Sequence, residues 1–160
     1  MSESHRFETF LHWPADAAQA LPPAADYSRN SVLSAAGKAD VAASAPTVFG
    51  GDESRYNPEE LLLLALSQCH MLTYLAMAAR RGITVLDYAD QATGTLGAAV
   101  SAELRGKMSM REVTLRPRVT VAKGSDLEAA MAMHEKAHAN CFIANSVNFP
   151  VTHQAEIIER

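Results

Sequence analysis

The stretch Asn57-Pro58-Glu59-Glu60-Leu61-Leu62-Leu63-Leu64-Ala65-Leu66-Ser67-Gln68-Cys69-His70 decides how this chain folds. Asn57 can cap a helix, Pro58 suits the first helical position, and Glu60 sits where a capping-box carboxylate reaches back. Beyond the cap the run is apolar almost all round, through Met71, Leu72, Leu75 and Met77. A helix with no polar face is enclosed, by the rest of its own molecule or by a partner chain. Arg80 and Arg81 suit its negative end, and Gly82 supplies a left-handed stop. Ser67, Gln68, His70 and Thr73 interrupt the apolar run, so it reads as a core helix rather than a membrane span.

Strand patterns surround this helix. Upstream, Arg6 to Trp13 reads as a first strand, and Tyr27 to Leu33 with Lys38 to Ser44 as a hairpin about Gly37. Pro14 to Pro23, rich in Ala and Pro, is a loose connection, and the glycines of Phe49 to Ser54 mark a turn. Downstream, Tyr88 to Glu103 is a glycine-interrupted strand candidate. Met110 to Val121 is clearer: Val113, Leu115, Val119 and Val121 fall on one face, and Pro117 suggests an edge or a bulge. A second helix is expected from a capping box of Ser125 and Glu128 to about Cys141, then a last strand from Val151 to Ile158. The order predicts one α+β domain over residues 1–160, with antiparallel sheets and a long buried central helix.

Composition excludes several functions. The 160 residues are 48% hydrophobic and 20% charged, an ordinary globular balance. A net charge of −4 and scattered arginines give no footprint for nucleic acid. Met1 to Trp13 has no apolar core behind basic residues, so no signal peptide is expected and the protein is placed in the cytoplasm. Two cysteines in that reducing compartment are buried residues, metal ligands or redox groups.

Those cysteines are Cys69, in the first helix, and Cys141, at the end of the second. On the second helix Leu127, Met131, His134, His138 and Cys141 share one face, read as the core-facing one. Three readings stay open. The histidines fill space beside backbone carbonyls; or His134, His138 and Cys141, with Cys69 available, hold a metal; or Cys69 and Cys141 are a redox pair.

The run from Asn57-Pro58-Glu59-Glu60 through Ala65-Leu66-Ser67-Gln68-Cys69 resembles the signature of the OsmC/Ohr family of hydroperoxide reductases, with the cysteine ten residues after the first glutamate. Lys136-Ala137-His138-Ala139-Asn140-Cys141 resembles the family's second signature, and the resemblance spans essentially the whole chain. It implies an intertwined homodimer acting on small organic hydroperoxides without metal or organic cofactor, and recycled by a lipoyl-type dithiol. It implies Cys69 as the peroxide-attacking thiol, Cys141 as its disulfide partner, Glu59 as the glutamate that pairs with an arginine, and Arg29 as that arginine, with Arg55 its rival. Phe142 stands where the family often has proline, and His70 where many members place an aromatic residue. A metal-binding domain or a non-catalytic ligand-binding relative are the alternatives. On one straight helix Glu59 and Cys69 would stand roughly 15 Å apart. A shared arginine therefore needs a kink or a second subunit.

Overall fold

The computed structural model describes residues 4–13, 27–98 and 107–160. The chain divides into two compact units, residues 1–61 and 62–160. The loose stretch expected over residues 14–23 lies outside the described residues, as do positions 99–103 of the strand expected from Tyr88 to Glu103.

The first unit is built on an antiparallel sheet of β1 (Phe10–His12), β2 (Ser31–Ser34) and β3 (Val41–Ala43), in that order. The expected hairpin is there, its turn holding Gly37 at φ 74°; the expected first strand is only three residues long. After β3 the backbone folds back so closely that a Cβ on Gly51 would lie 1.7 Å from the Ala45 carbonyl oxygen, which only glycine permits. The Asp52 carboxylate then organises the turn, accepting from the Ser54 N–H and hydroxyl at 2.9 and 2.7 Å.

Helix α1 runs unbroken from Pro58 to Arg81. Its capping box forms as expected: the Glu60 N–H donates to Asn57 Oδ1 at 2.9 Å, and the Asn57 N–H donates to Glu60 Oε2 at 3.1 Å. Among the described residues it is the one helix long and apolar enough, by length and composition, to span a bilayer. Only one stripe of it is buried, Leu66, His70, Tyr74 and Ala78, at helical spacing. Leu64 and Leu72 are 51% and 56% exposed in the single chain, so the enclosure expected of an all-round apolar helix is one-sided.

The rest of the second unit comprises β4 (Val85–Asp90), β5 (Thr93–Ala98), β6 (Met108–Leu115), β7 (Pro117–Val121), α2 (Leu127–Ala139), β8 (Val151–His153) and β9 (Glu156–Glu159). They make two mixed three-stranded sheets, β4-β7-β9 and β5-β6-β8. In each the first pair is antiparallel and the second parallel.

Three expectations are corrected by one fact. The chain changes sheet between β4 and β5, between β6 and β7, and between β8 and β9. Each run read as one strand is therefore two. Pro117 lies at one of these crossings, as first residue of the central strand β7 rather than on an edge, where its missing N–H costs no ladder bond. Asp90 ties the crossing together. Its Oδ1 accepts from the Arg116 N–H at 2.6 Å, and its Oδ2 accepts from the Ser67 hydroxyl of α1.

Two apolar clusters fill this unit. One packs Tyr74 and Ala78 of α1 against Val119 and Val121 of β7 and Ala130, Met133 and Ala137 of α2. The other gathers Leu66, Val113 and Leu115. The four apolar residues assigned to one face of Met110 to Val121 are all buried. The cap of α2 is Asp126, whose carboxylate accepts from the Ala129 N–H at 2.9 Å; Ser125 turns instead to the Ala122 carbonyl. The frame of α2 is also rotated from expectation. Ala130, Met133, His134 and Ala137 are buried, whereas Leu127 and Met131 are each 42% exposed. Small alanines let α2 approach the sheet closely, and the larger Leu127 and Met131 lie outside that contact.

Candidate active site

Cys69 is central on α1, and Cys141 follows the C-cap of α2 by one residue. The second unit brings them near one another as free thiols, close enough for Cys69 to act on the titration of Cys141. Cys141 is 1% exposed, while Cys69 is half-buried. Burial first, and then the neighbouring Cys69, pushes the Cys141 thiol up to about 11; the Ala144 N–H, 3.4 Å from its sulfur, pulls the other way. Cys141 therefore stays protonated at neutral pH, and Cys69 is the less enclosed of the two cysteines.

Beside the thiols lies a row of imidazoles. His70 Nε2 and His134 Nδ1 are 3.0 Å apart, with ring planes 4° from parallel, and both residues are fully buried. The Tyr74 ring stacks on His134 at 4.2 Å, and its hydroxyl donates to the Ala130 carbonyl. His153 of β8 lies with its ring 5.5 Å from that of His70 and 5.8 Å from that of His138, and its Nε2 is 3.5 Å from Glu135. Burial, then the neighbouring His153 and His138, lowers His70 to about 4, against the pull of Asp90. Burial, then His70 and His153, lowers His134 to about 3. His70 and His134 bond to one another, and the Tyr74 ring covers the face of His134.

The metal reading does not assemble. His134 spends Nδ1 on His70, and among the described residues no three His, Cys, Asp or Glu side chains are disposed to hold an ion. A three- or four-residue spacing sets a shared helical face, but it does not aim ring nitrogens at one point.

Arg29 and Glu59 lie in the first unit. Arg29 stands over the Tyr27 ring at 4.7 Å, donates to the Tyr27 carbonyl at 2.9 Å, and lines an open polar pocket with Asn30, Gly50 and Asp52. The rival Arg55 is engaged in its own turn, with Nε 3.3 Å from Asp52. Glu59 Oε2 is buried without a hydrogen-bond partner among the described residues.

Three members of the thiol neighbourhood escape sequence reasoning: Tyr74, His153 and Asp90. Tyr74 could have been found, since it stands four residues after His70 on the same helical stripe. His153 and Asp90 carry no such local signal, because each sits where the chain changes sheet.

The chain matches the model of the OsmC-like protein family over residues 50–156. It is 25% identical over 156 residues to the uncharacterised protein YmaD of Bacillus subtilis, covering 95% of this chain and 93% of that one. An OsmC-like protein of unknown function from Vibrio cholerae is 36% identical and superposes with a TM-score of 0.83, over 97% of this chain and 99% of the other. An organic hydroperoxide resistance protein from Legionella pneumophila shares the fold, with a TM-score of 0.67 at 18% identity over 96% and 97% of the two chains.

Proposed function

The chain belongs to the OsmC-like protein family, and on that premise we propose that it reduces organic hydroperoxides through a Cys69–Cys141 thiol pair. The observation that carries this reading is that α1 and α2 pack with both cysteines on the same seam, beside the 3.0 Å His70–His134 pair, with Cys69 close enough to perturb Cys141. A thiolate at Cys69 attacks the terminal peroxide oxygen, the O–O bond breaks, and the alkoxide takes a proton to leave as an alcohol. Cys69 is then a sulfenic acid. Cys141 attacks it, a disulfide forms, and water departs. The buried, protonated Cys141 does not compete for peroxide, yet it lies close to the cysteine it must resolve. An external dithiol, of lipoyl type in our reading, returns the disulfide to two thiols. The substrate class is taken from the Legionella relative, which is an organic hydroperoxide resistance protein.

Arg29 is our candidate for the guanidinium that favours the Cys69 thiolate, because it stays charged when desolvated, and Glu59 for the carboxylate that fixes it. The unbroken α1 removes the kink that could have brought Glu59 and Cys69 around one sulfur, since they stand roughly 15 Å apart along it. A second copy of the chain is then needed, and the uncovered Leu64 and Leu72 support a homodimer about α1. We place this enzyme in the cytoplasm, where reductants keep such a pair cycling.

Treating reduced protein with one equivalent of an organic hydroperoxide should remove both thiols and lower the intact mass by two hydrogens. Cys69→Ser should abolish turnover, and Cys141→Ser should allow a single oxidation without the internal disulfide. Full turnover by Cys69→Ser, or both thiols surviving the peroxide, refutes the proposal.

A further inference from the structure

Contacts along the seam between α1 and α2 run in a single antiparallel row. Cys69 lies near Cys141, His70 meets His134, and Tyr74 reaches the Ala130 carbonyl at 3.2 Å. The thiol pair is thus one end of a zipper whose next link is the imidazole pair.

That link works in a restricted set of protonation states. Near-coplanar rings with centroids 5.4 Å apart and nitrogens 3.0 Å apart describe an in-line N–H to N bond, in which one ring donates and the other offers a lone pair. A first extra proton leaves a buried cation; a second sets N–H against N–H and breaks the bond. The groups facing the pair offer little compensation. On α1 these are Cys69 and Tyr74, on α2 His138 and Cys141, and on β8 His153, whose ring is 5.9 Å from that of His134. On β4 they are Tyr88 and Asp90. The Asp90 oxygens already accept from Ser67 and Arg116, and Glu135 is 79% exposed beside His153. Four imidazoles thus share two carboxylates, neither of them bonded to the His70–His134 pair. His70 Nδ1, His134 Nε2 and His138 Nδ1 are buried without partners among the described residues.

We propose that this imidazole row is an acid-responsive latch on the thiol pair. Uncharged, it holds Cys141 against Cys69; protonated, it drives the end of α2 off α1 and favours the dithiol over the disulfide. The idea rests on the thiol pair of the proposed function but not on peroxide. At neutral pH the lowered His70 and His134 keep the latch closed. Once opened, each ring regains its ordinary affinity for protons, so acidification below that point favours the open form by about tenfold per pH unit per histidine.

The test is to equilibrate the full-length protein with glutathione and glutathione disulfide at a fixed ratio, from about pH 7.5 to about pH 5.5, with intact mass giving the oxidised fraction. Two electrons and two hydrogens pass from the protein thiols to glutathione disulfide, yielding the protein disulfide and two glutathione thiols. Protonating a thiolate on acidification would favour oxidation, the opposite sign to the latch. The expected result is a fall of about tenfold in the oxidation constant with unchanged far-UV circular dichroism, abolished in His134→Gln. Should that variant not fold, His153→Gln, at the rim of the row, should shrink the fall. A flat or rising constant overturns the latch, as does an equal fall in the variants or a loss of helix in step with it. Because no peroxide is used, these outcomes are separate from the fate of the peroxidase reading.

Discussion

Moving the protein from about pH 7.5 to about pH 5 should weaken its fold chiefly through two residues, His70 and His134, because each must bind a proton that its buried site resists; His153, also lowered by burial, adds in the same direction. Both are fully buried, and folding lowers them from 6.5 to about 4 and about 3 respectively. A group lowered by folding binds protons more readily when unfolded. Its contribution is therefore complete above 6.5 and is lost as the pH falls from 6.5 toward the folded values. At about pH 5 the unfolded imidazole is charged and the one in the closed row still neutral, which costs up to roughly 2 kcal/mol per histidine at about 1.36 kcal/mol per pH unit, less wherever the row has opened. The two together approach about 4 kcal/mol, and because they share a bond they titrate as a pair. Asp52, held below its usual range chiefly by hydrogen bonds from Ser54, titrates beneath this window. Urea unfolding at a slope of about 2 kcal/mol per molar should show the midpoint falling by roughly 2 M between the two pH values. The double variant His70→Gln/His134→Gln should lose most of that pH dependence, whatever its absolute stability. A wild-type midpoint that stays level between pH 6.5 and pH 5, or a double variant that keeps the full slope, refutes the reasoning.

Asn57→Ala deletes half of the capping box and should cost about 1 kcal/mol, read as a lower melting temperature without a change in fold. Leu66→Ala opens a cavity beside Val113 and Leu115 and should cost about 3 kcal/mol in chemical denaturation; a loss below about 1 kcal/mol would mean the site collapses around the gap. Reduced native protein treated with iodoacetamide near neutral pH should gain one adduct, at Cys69, and a second at Cys141 only on unfolding, because Cys141 is buried and pushed up to about 11. Equal labelling of both thiols in the folded state would contradict that environment.

The central helix is legible in the amino-acid sequence, because its signals are local. Asn57, Pro58 and Glu60 state where it begins, and Gly82 where it ends. The sheet crossings are not, since Leu115 and Val119 are both buried although they belong to different sheets, and the alternation of apolar residues carries straight through Arg116 and Pro117. The same limit governs the site. Cys69 and Cys141 are marked by their motifs, and both lie on the seam between α1 and α2. The facing rule for α2 fails because Leu127 and Met131 outrank small alanines in hydrophobicity, whereas close packing favours Ala130 and Ala137. His153 reaches the imidazole row only through parallel pairing of β8 with β6, which no local pattern announces.

That pairing has a consequence for synthesis on the ribosome. Val113 is matched with Val151 and Val119 with Ile157, so each sheet of the second unit waits for a strand near the end of the chain. Arg160 takes part as well, its N–H donating to the Val121 carbonyl at 2.9 Å. Non-local parallel pairing is slow to form, because loop closure must precede any gain. While residues 151–159 are still inside the exit tunnel, β6 and β7 lack their parallel neighbours and α2 has no finished sheet to pack on. The thiol seam therefore matures only once β8 and β9 have emerged, and translational stalling or truncation before residue 151 would leave an emergent chain with open strand edges for chaperones to guard.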